Sequence, residues 1–186
     1  PLAVGGAVLA GDLVPFLFDS DYAAGAAALR IVIWVVPLMY TSEFLGYAVL
    51  IDNQERRVAR AVVISTALNV LLNLAIVPIF GFVAAAVTTV VTEAVLVGQY
   101  AWLLRGRLRA LPLGQILVRP MLAAIGMGVL VAWLPGDWAV WTRVLAGGAA
   151  YGALSVAMGL LTRADLTFLR DMRRAAPTAP EAAPPA

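Results

Sequence analysis

The sequence predicts an all-α protein, a polytopic bundle of transmembrane helices, and three observations lead there. The first is composition. Of 186 residues, 62% are hydrophobic and 13% charged, with a mean hydropathy of +0.91, whereas an ordinary soluble domain is about 45–50% apolar and about 25% charged. A soluble domain of this length hides only about 70% of the surface its unfolded chain exposes, too little for so apolar a chain. The second is that apolar segments recur at about the 20 residues needed to cross a hydrocarbon layer roughly 30 Å thick. The third is that arginines alternate from loop to loop.

The first apolar segment covers residues 1–18 and ends at the turn Asp19-Ser20-Asp21. It is slightly short for a span and has neither a basic leader nor a small-residue cleavage site, so it does not read as a signal peptide. It is expected to be a truncated span, with the chain the C-terminal part of a longer protein. The second segment, 24–51, carries Arg30 near its start, Glu43 towards its end and Pro37 inside, where a kink is expected. The loop DNQERR, 52–57, follows. The third span is 58–79, punctuated by Pro78 and Gly81. The fourth, 82–104, has Glu93 as its only charge, and RGRLR at 105–109 closes it. The fifth is 116–134, ended by Pro135-Gly136-Asp137, and the sixth is 140–161. One truncated and five complete spans therefore fill residues 1–161.

After the last span, 162–174 reads TRADLTFLRDMRR. Thr162 and Asp165 form a capping box, and Leu166, Leu169 and Met172 recur every three residues. The stretch reads either as an interfacial amphipathic helix or as a frayed extension of the last span. The Ala/Pro-rich tail 175–186 is expected to be disordered.

Arginine placement orients the chain. Arg56, Arg57 and Arg60 flank one turn, Arg105, Arg107, Arg109 and Arg119 the next on that side, and Arg163, Arg170, Arg173 and Arg174 follow the last span. Only Arg30 and Arg143 lie near the opposite turns. The positive-inside rule makes the arginine-rich side cytoplasmic. The expected location is the cytoplasmic (inner) membrane, multi-pass, with the C-terminus inside.

Absent residue types narrow the chemistry. There is no His and no Cys, and all 13 basic residues are Arg. Histidine bases and Ser-His-Asp triads, thiolates and their metal sites, and Schiff-base or phosphate-loop lysines are excluded. No catalytic residue, metal site or cofactor is expected. A net charge of +2 gives no sign of a nucleic-acid partner. Carboxylates, arginines, amides and hydroxyls remain, which suits transport better than covalent catalysis.

Polar groups inside a bilayer are costly and face protein or a wet cavity. Ser65, Asn69 and Asn73 fall at i, i+4 and i+8 on one face of the third span, and Thr89, Thr92 and Glu93 share a face of the fourth. Both sets read either as helix-to-helix glue, worth roughly 0.6 kcal/mol each, or as the lining of a hydrophilic cavity. Glu93 sits near mid-bilayer, where an unpaired carboxylate costs roughly 3 kcal/mol or more. It is expected to be protonated, paired or wet. Glu43, nearer the cytoplasmic end, reaches the interface. Arg30 either snorkels outward or turns its planar fork towards a phosphate oxygen in a central cavity. Gly148 and Gly152 form a GxxxG packing signal.

The stretch NVLLNLAIVPIFGFVAAAV, 69–87, resembles a pattern of polysaccharide exporters: Asn-x-x-x-Asn, an apolar run to a Pro, then Gly-x-x-Gly-Ala-Ala opening the next helix. Asn69, Asn73, Pro78, Gly81, Ala85 and Ala86 match, and Ala84 replaces the second Gly. Upstream, VPFLFDSDYAAGAAALRI is similar, with Tyr22 and Leu29-Arg30 in place and Asp19 where Gly is common. LIDNQERR, 50–57, is similar to the family's short basic loop without its small residue and Gly. The family is the oligosaccharide flippase branch of the multidrug/oligosaccharidyl-lipid/polysaccharide exporter superfamily, and the resemblance covers residues 1–104. It implies two six-helix lobes around a central cavity, often with two extra C-terminal helices. This chain would then be the C-terminal lobe, from the end of the ninth span to the fourteenth, with the N-terminal lobe its missing partner. The implied activity is translocation of an undecaprenyl-pyrophosphate-linked oligosaccharide between leaflets by alternating access, for cell-surface polysaccharide biosynthesis. Arg30, Glu43, Asn69, Asn73, Thr89 and Glu93 are then candidates for the substrate or ion pathway. Three other readings compete: a multidrug or cation antiporter of the same superfamily, a non-transporting membrane scaffold, and a membrane-embedded transferase. The polar content of the spans argues against the scaffold, and the lack of His and Lys against the transferase.

Overall fold

The computed structural model describes residues 1–109, 112–136 and 138–160. The interfacial helix expected at 162–174 and the tail at 175–186 lie outside them. The described residues are all α-helical with no strand. Leu2–Phe18 forms α1, and a short 3₁₀ turn, Ser20–Tyr22, leads to α2, Gly25–Val32, and α3, Val35–Ile51. Glu55–Leu103 forms α4, followed by the single turn α5, Arg105–Leu108, then α6, Leu113–Trp133, and α7, Val140–Ala157. The helices agree with the expected spans to within a few residues.

The breaks have local causes. Between α2 and α3 the kink lies one turn ahead of Pro37. Proline has no N–H and its ring crowds the carbonyl four residues back, which here belongs to Ile33. That carbonyl accepts from the Val36 N–H instead, and Trp34 N–H bonds to Ile31, so the chain tightens over 33–36. The helix path passes through Pro78 and breaks three residues later at Gly81, at φ 69° and ψ −157°. That region is open essentially to glycine alone, so α4 is two limbs, 55–80 and 82–103, folded back on each other. The limbs are about 39 and 33 Å long at about 1.5 Å per residue. The turn after α3 uses Asn53 at φ 54°, because Asn tolerates the left-handed region better than most residues. Asp19 closes α1 at φ 81°, ψ 163°, a conformation that glycine adopts more readily than other residues.

Two apolar clusters hold the helices. α3 packs on the α4 hairpin through Leu45, Val49, Ala61, Tyr100 and Leu104. α1, α6 and α7 meet around Leu9, Met127 and Val131, and α2 touches both α1 and α4. Small residues permit the closest approaches. A β-carbon on Gly128 would come within 2.5 Å of Val4, and one on Gly147 within 2.9 Å of Val131. The expected Gly148/Gly152 pair meets nothing within 4 Å. The last helix therefore packs through a neighbouring glycine, because its rotation is set by α6 and not by the GxxxG spacing.

Gly25–Ile51 and Glu55–Leu103 are long and apolar enough to cross a membrane. Their outward faces stay apolar: Phe44, Leu74 and Ile79 are each more than seven-tenths exposed. The turns also sort by end. Asp52, after α3, bonds to Arg107 of α5 at 2.5 Å, while at the other end of the hairpin Phe82 lies beside Phe18, Asp21 and Tyr22.

Candidate functional site

The α4 hairpin gathers the polar side chains of its two limbs onto one seam. Asn69 Nδ2 donates to Thr92 Oγ1 at 2.9 Å, and Thr92 Oγ1 donates back along its own helix to the Thr88 carbonyl. Thr88 Oγ1 donates to Asn73 Oδ1 at 3.0 Å, and Asn73 Nδ2 donates to both Asn69 Oδ1 and the Asn69 carbonyl at 2.9 Å. The four residues thus close a ring of hydrogen bonds. One end of the seam continues as Gln99 Nε2 donating to Ser65 Oγ at 2.9 Å. Each of these groups is at least half-buried, and each has a partner in the facing limb or its own helix. In this arrangement Asn69 and Asn73 each bond to a threonine of the facing limb.

Thr89, Thr92 and Glu93 do not act together, although one helix face carries them. Thr92 is buried against the first limb, and Thr89 Oγ1 donates only to the Ala85 carbonyl of its own helix. Glu93 is half-buried and turns to α3, where the buried Ser42 hydroxyl donates to its Oε1 at 2.5 Å. Glu93 therefore has a hydrogen-bond partner on α3, a hydroxyl that also lies 3.0 Å from the Met39 carbonyl. Glu43 follows Ser42 on α3 and is exposed. Arg30 is exposed on α2, its guanidinium lying over Gly11 of α1, where a β-carbon would come within 3.2 Å of it. The six candidates thus split into the Asn69–Asn73 seam, the Glu93–Ser42 contact, Thr89 on its own helix, and the separate, exposed Arg30 and Glu43.

A second polar contact joins elements far apart in the chain. Arg143 of α7 is buried, and its Nη1 bonds to Asp12 Oδ2 of α1 at 2.6 Å. Its Nε is buried with no hydrogen-bond partner among the described residues. Asp12 is the one ionisable side chain of the first apolar segment. That position alone was a signal, but nothing nearby names Arg143, 131 residues on. Thr88 and Gln99 were also legible, since 88, 92 and 99 share a helix face at i, i+4 and i+11. Ser42 carried no such signal.

Two grooves accompany these contacts. An apolar one of about 520 Å³ lies between α1, α3, α6 and α7, with Leu9, Ile33, Met127 and Tyr151 in its wall and Arg143 at its edge. A more polar one of about 950 Å³ opens at the arginine-rich end of the α4 hairpin. Among the described residues no group of three or more acidic side chains could hold a metal ion. Comparison with protein-family models, with curated proteins and with solved structures gives no match at a significant level.

Proposed function

We propose that this chain is the C-terminal lobe of an oligosaccharide flippase, a transporter and not an enzyme, moving an undecaprenyl-pyrophosphate-linked oligosaccharide across the cytoplasmic membrane. The observation that carries the reading is the agreement between the family-like stretch 69–87 and the hairpin it builds. Asn69 and Asn73 bond across the seam, Gly81 takes the glycine-only turn, and Ala84 and Ala86 are buried between helices. Gly81 and Ala86 thus have work that their residue types do well, and Ala84 stays small where the pattern has its second Gly. Long apolar helices with apolar outward faces support placement in a bilayer, and the grouping of the arginine-bearing turns at one end supports the multi-pass topology.

Alternating access needs two bodies that enclose a path by turns, so one lobe shields the sugar from one side only. The test is flipping of a fluorescent lipid-linked oligosaccharide in proteoliposomes, with this chain alone and with it joined to an N-terminal lobe. Flipping by the joined protein only is the expected result; no flipping by either overturns the assignment. A cation or multidrug antiporter is the second reading, favoured by the half-buried Glu93 carboxylate. Proton-driven dye efflux by the joined protein, without oligosaccharide flipping, identifies it.

A further inference from the structure

We propose that the groove at the arginine-rich end of the α4 hairpin binds the phosphate of an anionic phospholipid headgroup, held by Arg57, Arg60 and Arg105. Arg57 and Arg60 stand at i and i+3 on the first limb, on one face, and Arg105 closes the groove from the end of the second. Four features point to a phosphate-bearing anion. No carboxylate lines the groove. None of the three arginines has an acidic partner among the described residues: Asp52 is taken by Arg107, and Arg57 bonds only to the Gln54 amide at 2.8 Å. Among the described residues no ion pair offsets that positive charge, and guanidinium forks match phosphate oxygens. Finally, Trp102 lies in the wall with the Arg105 guanidinium 4.6 Å above its ring.

The lipid source follows from what surrounds the charge. Ala61 and Val95 extend the wall as apolar surface towards the middle of the hairpin, which suits acyl chains below a headgroup. Trp102 is 64% exposed, as an indole is where hydrocarbon meets headgroups. Gln99, bonded to Ser65, closes the floor with a satisfied amide. Basic pockets between helices on the cytoplasmic side take anionic headgroups in this way. The lipid source rests on the chain crossing a membrane; the phosphate chemistry does not.

The test measures binding of a fluorescent-tailed phosphatidylglycerol to the full chain in detergent, with unlabelled phosphatidylglycerol, phosphatidylcholine and inorganic phosphate as competitors. Phosphatidylglycerol should compete at least tenfold better than phosphatidylcholine, with phosphate competing only weakly. Replacing Arg57, Arg60 and Arg105 by Gln should weaken binding by about fivefold per arginine, taking about 1 kcal/mol for each basic residue near a surface. The control Arg56→Gln/Arg109→Gln removes charge outside the groove and should bind like wild type. Equal loss in the control overturns the site in favour of diffuse charge, and equal competition by phosphatidylcholine overturns the anion chemistry. Competition by phosphate as strong as by lipid overturns the headgroup and makes the ligand a soluble phosphate. Because the measurement is made in detergent, a chain that fails to cross a membrane is detected separately, by sidedness labelling.

Discussion

Glu93 shows how much one hydroxyl decides. A carboxylate in an apolar helix must be neutralised, paired or wet, and here the Ser42 hydroxyl across the α3 interface pairs it. Ser42→Ala should leave that carboxylate without its donor and cost about 1–3 kcal/mol, seen as a lower Tm in detergent; an unchanged Tm would show the contact contributes nothing. Glu93→Gln keeps shape and hydrogen bonding but cannot titrate. If Glu93 couples protonation to transport, the joined two-lobed protein carrying Gln should lose flipping or its pH dependence at normal membrane abundance. Wild-type flipping across the pH range would make Glu93 structural. The Asp12–Arg143 pair obeys a different balance. Its arginine is buried and its carboxylate 42% exposed, so Asp12→Ala should cost less than the about 3–5 kcal/mol of breaking a fully buried pair. Asp12→Leu with Arg143→Met, which removes the stranded charge, should recover most of the loss in thermal unfolding.

Among elements, the α4 hairpin is held by its turn and by its seam. Gly81 has open space around it, with nothing within 4 Å of a β-carbon, so Gly81→Ala tests backbone strain free of any clash. A loss of about 1–3 kcal/mol is expected, and a stable Ala variant would mean the turn adopts another conformation. Across the seam, an Asn69→Ala, Thr92→Val double-mutant cycle should give a coupling of about 0.6 kcal/mol, at most about 1.7, the range of hydrogen bonds between membrane helices. The α1–α6 contact is steric. Gly128→Val drives a branched side chain onto Val4, itself nearly fixed in one rotamer, and should cost about 1–3 kcal/mol by overpacking. Gly148→Ala, facing open space, should be neutral or stabilising by up to about 1 kcal/mol. A clear loss from Gly148→Ala would mean α7 packs through Gly148 and not Gly147.

At the scale of the molecule, the prediction concerns sidedness. The chain lacks cysteine, so single cysteines report cleanly. Asp21→Cys and Gln54→Cys lie in turns at opposite ends of the helices and should label from opposite sides of sealed vesicles, Gln54→Cys from the cytoplasmic side. Labelling of both from one side would overturn the multi-pass arrangement. The same two ends carry different chemistry: aromatic and acidic residues gather near Tyr22 and Phe82, arginines around the groove at Arg57 and Arg105.

The features readable along the chain were local in origin. Hydropathy marks helices because burial depends on each residue's own side chain, and Pro37 and Gly81 mark breaks because their constraint lies within one turn of chain. The Asn-x-x-x-Asn face was legible for the same reason: four residues is one helical turn. Which partner each polar group found depended on how the helices pack. The sequence presented Thr89, Thr92 and Glu93 as one face, yet helix packing turned Thr92 to Asn69 and Glu93 to Ser42, 51 residues away. It also chose Gly147 over Gly148 and matched Asp12 with Arg143. These choices depend on helix rotation and crossing, which close packing between distant segments sets and which no local spacing encodes.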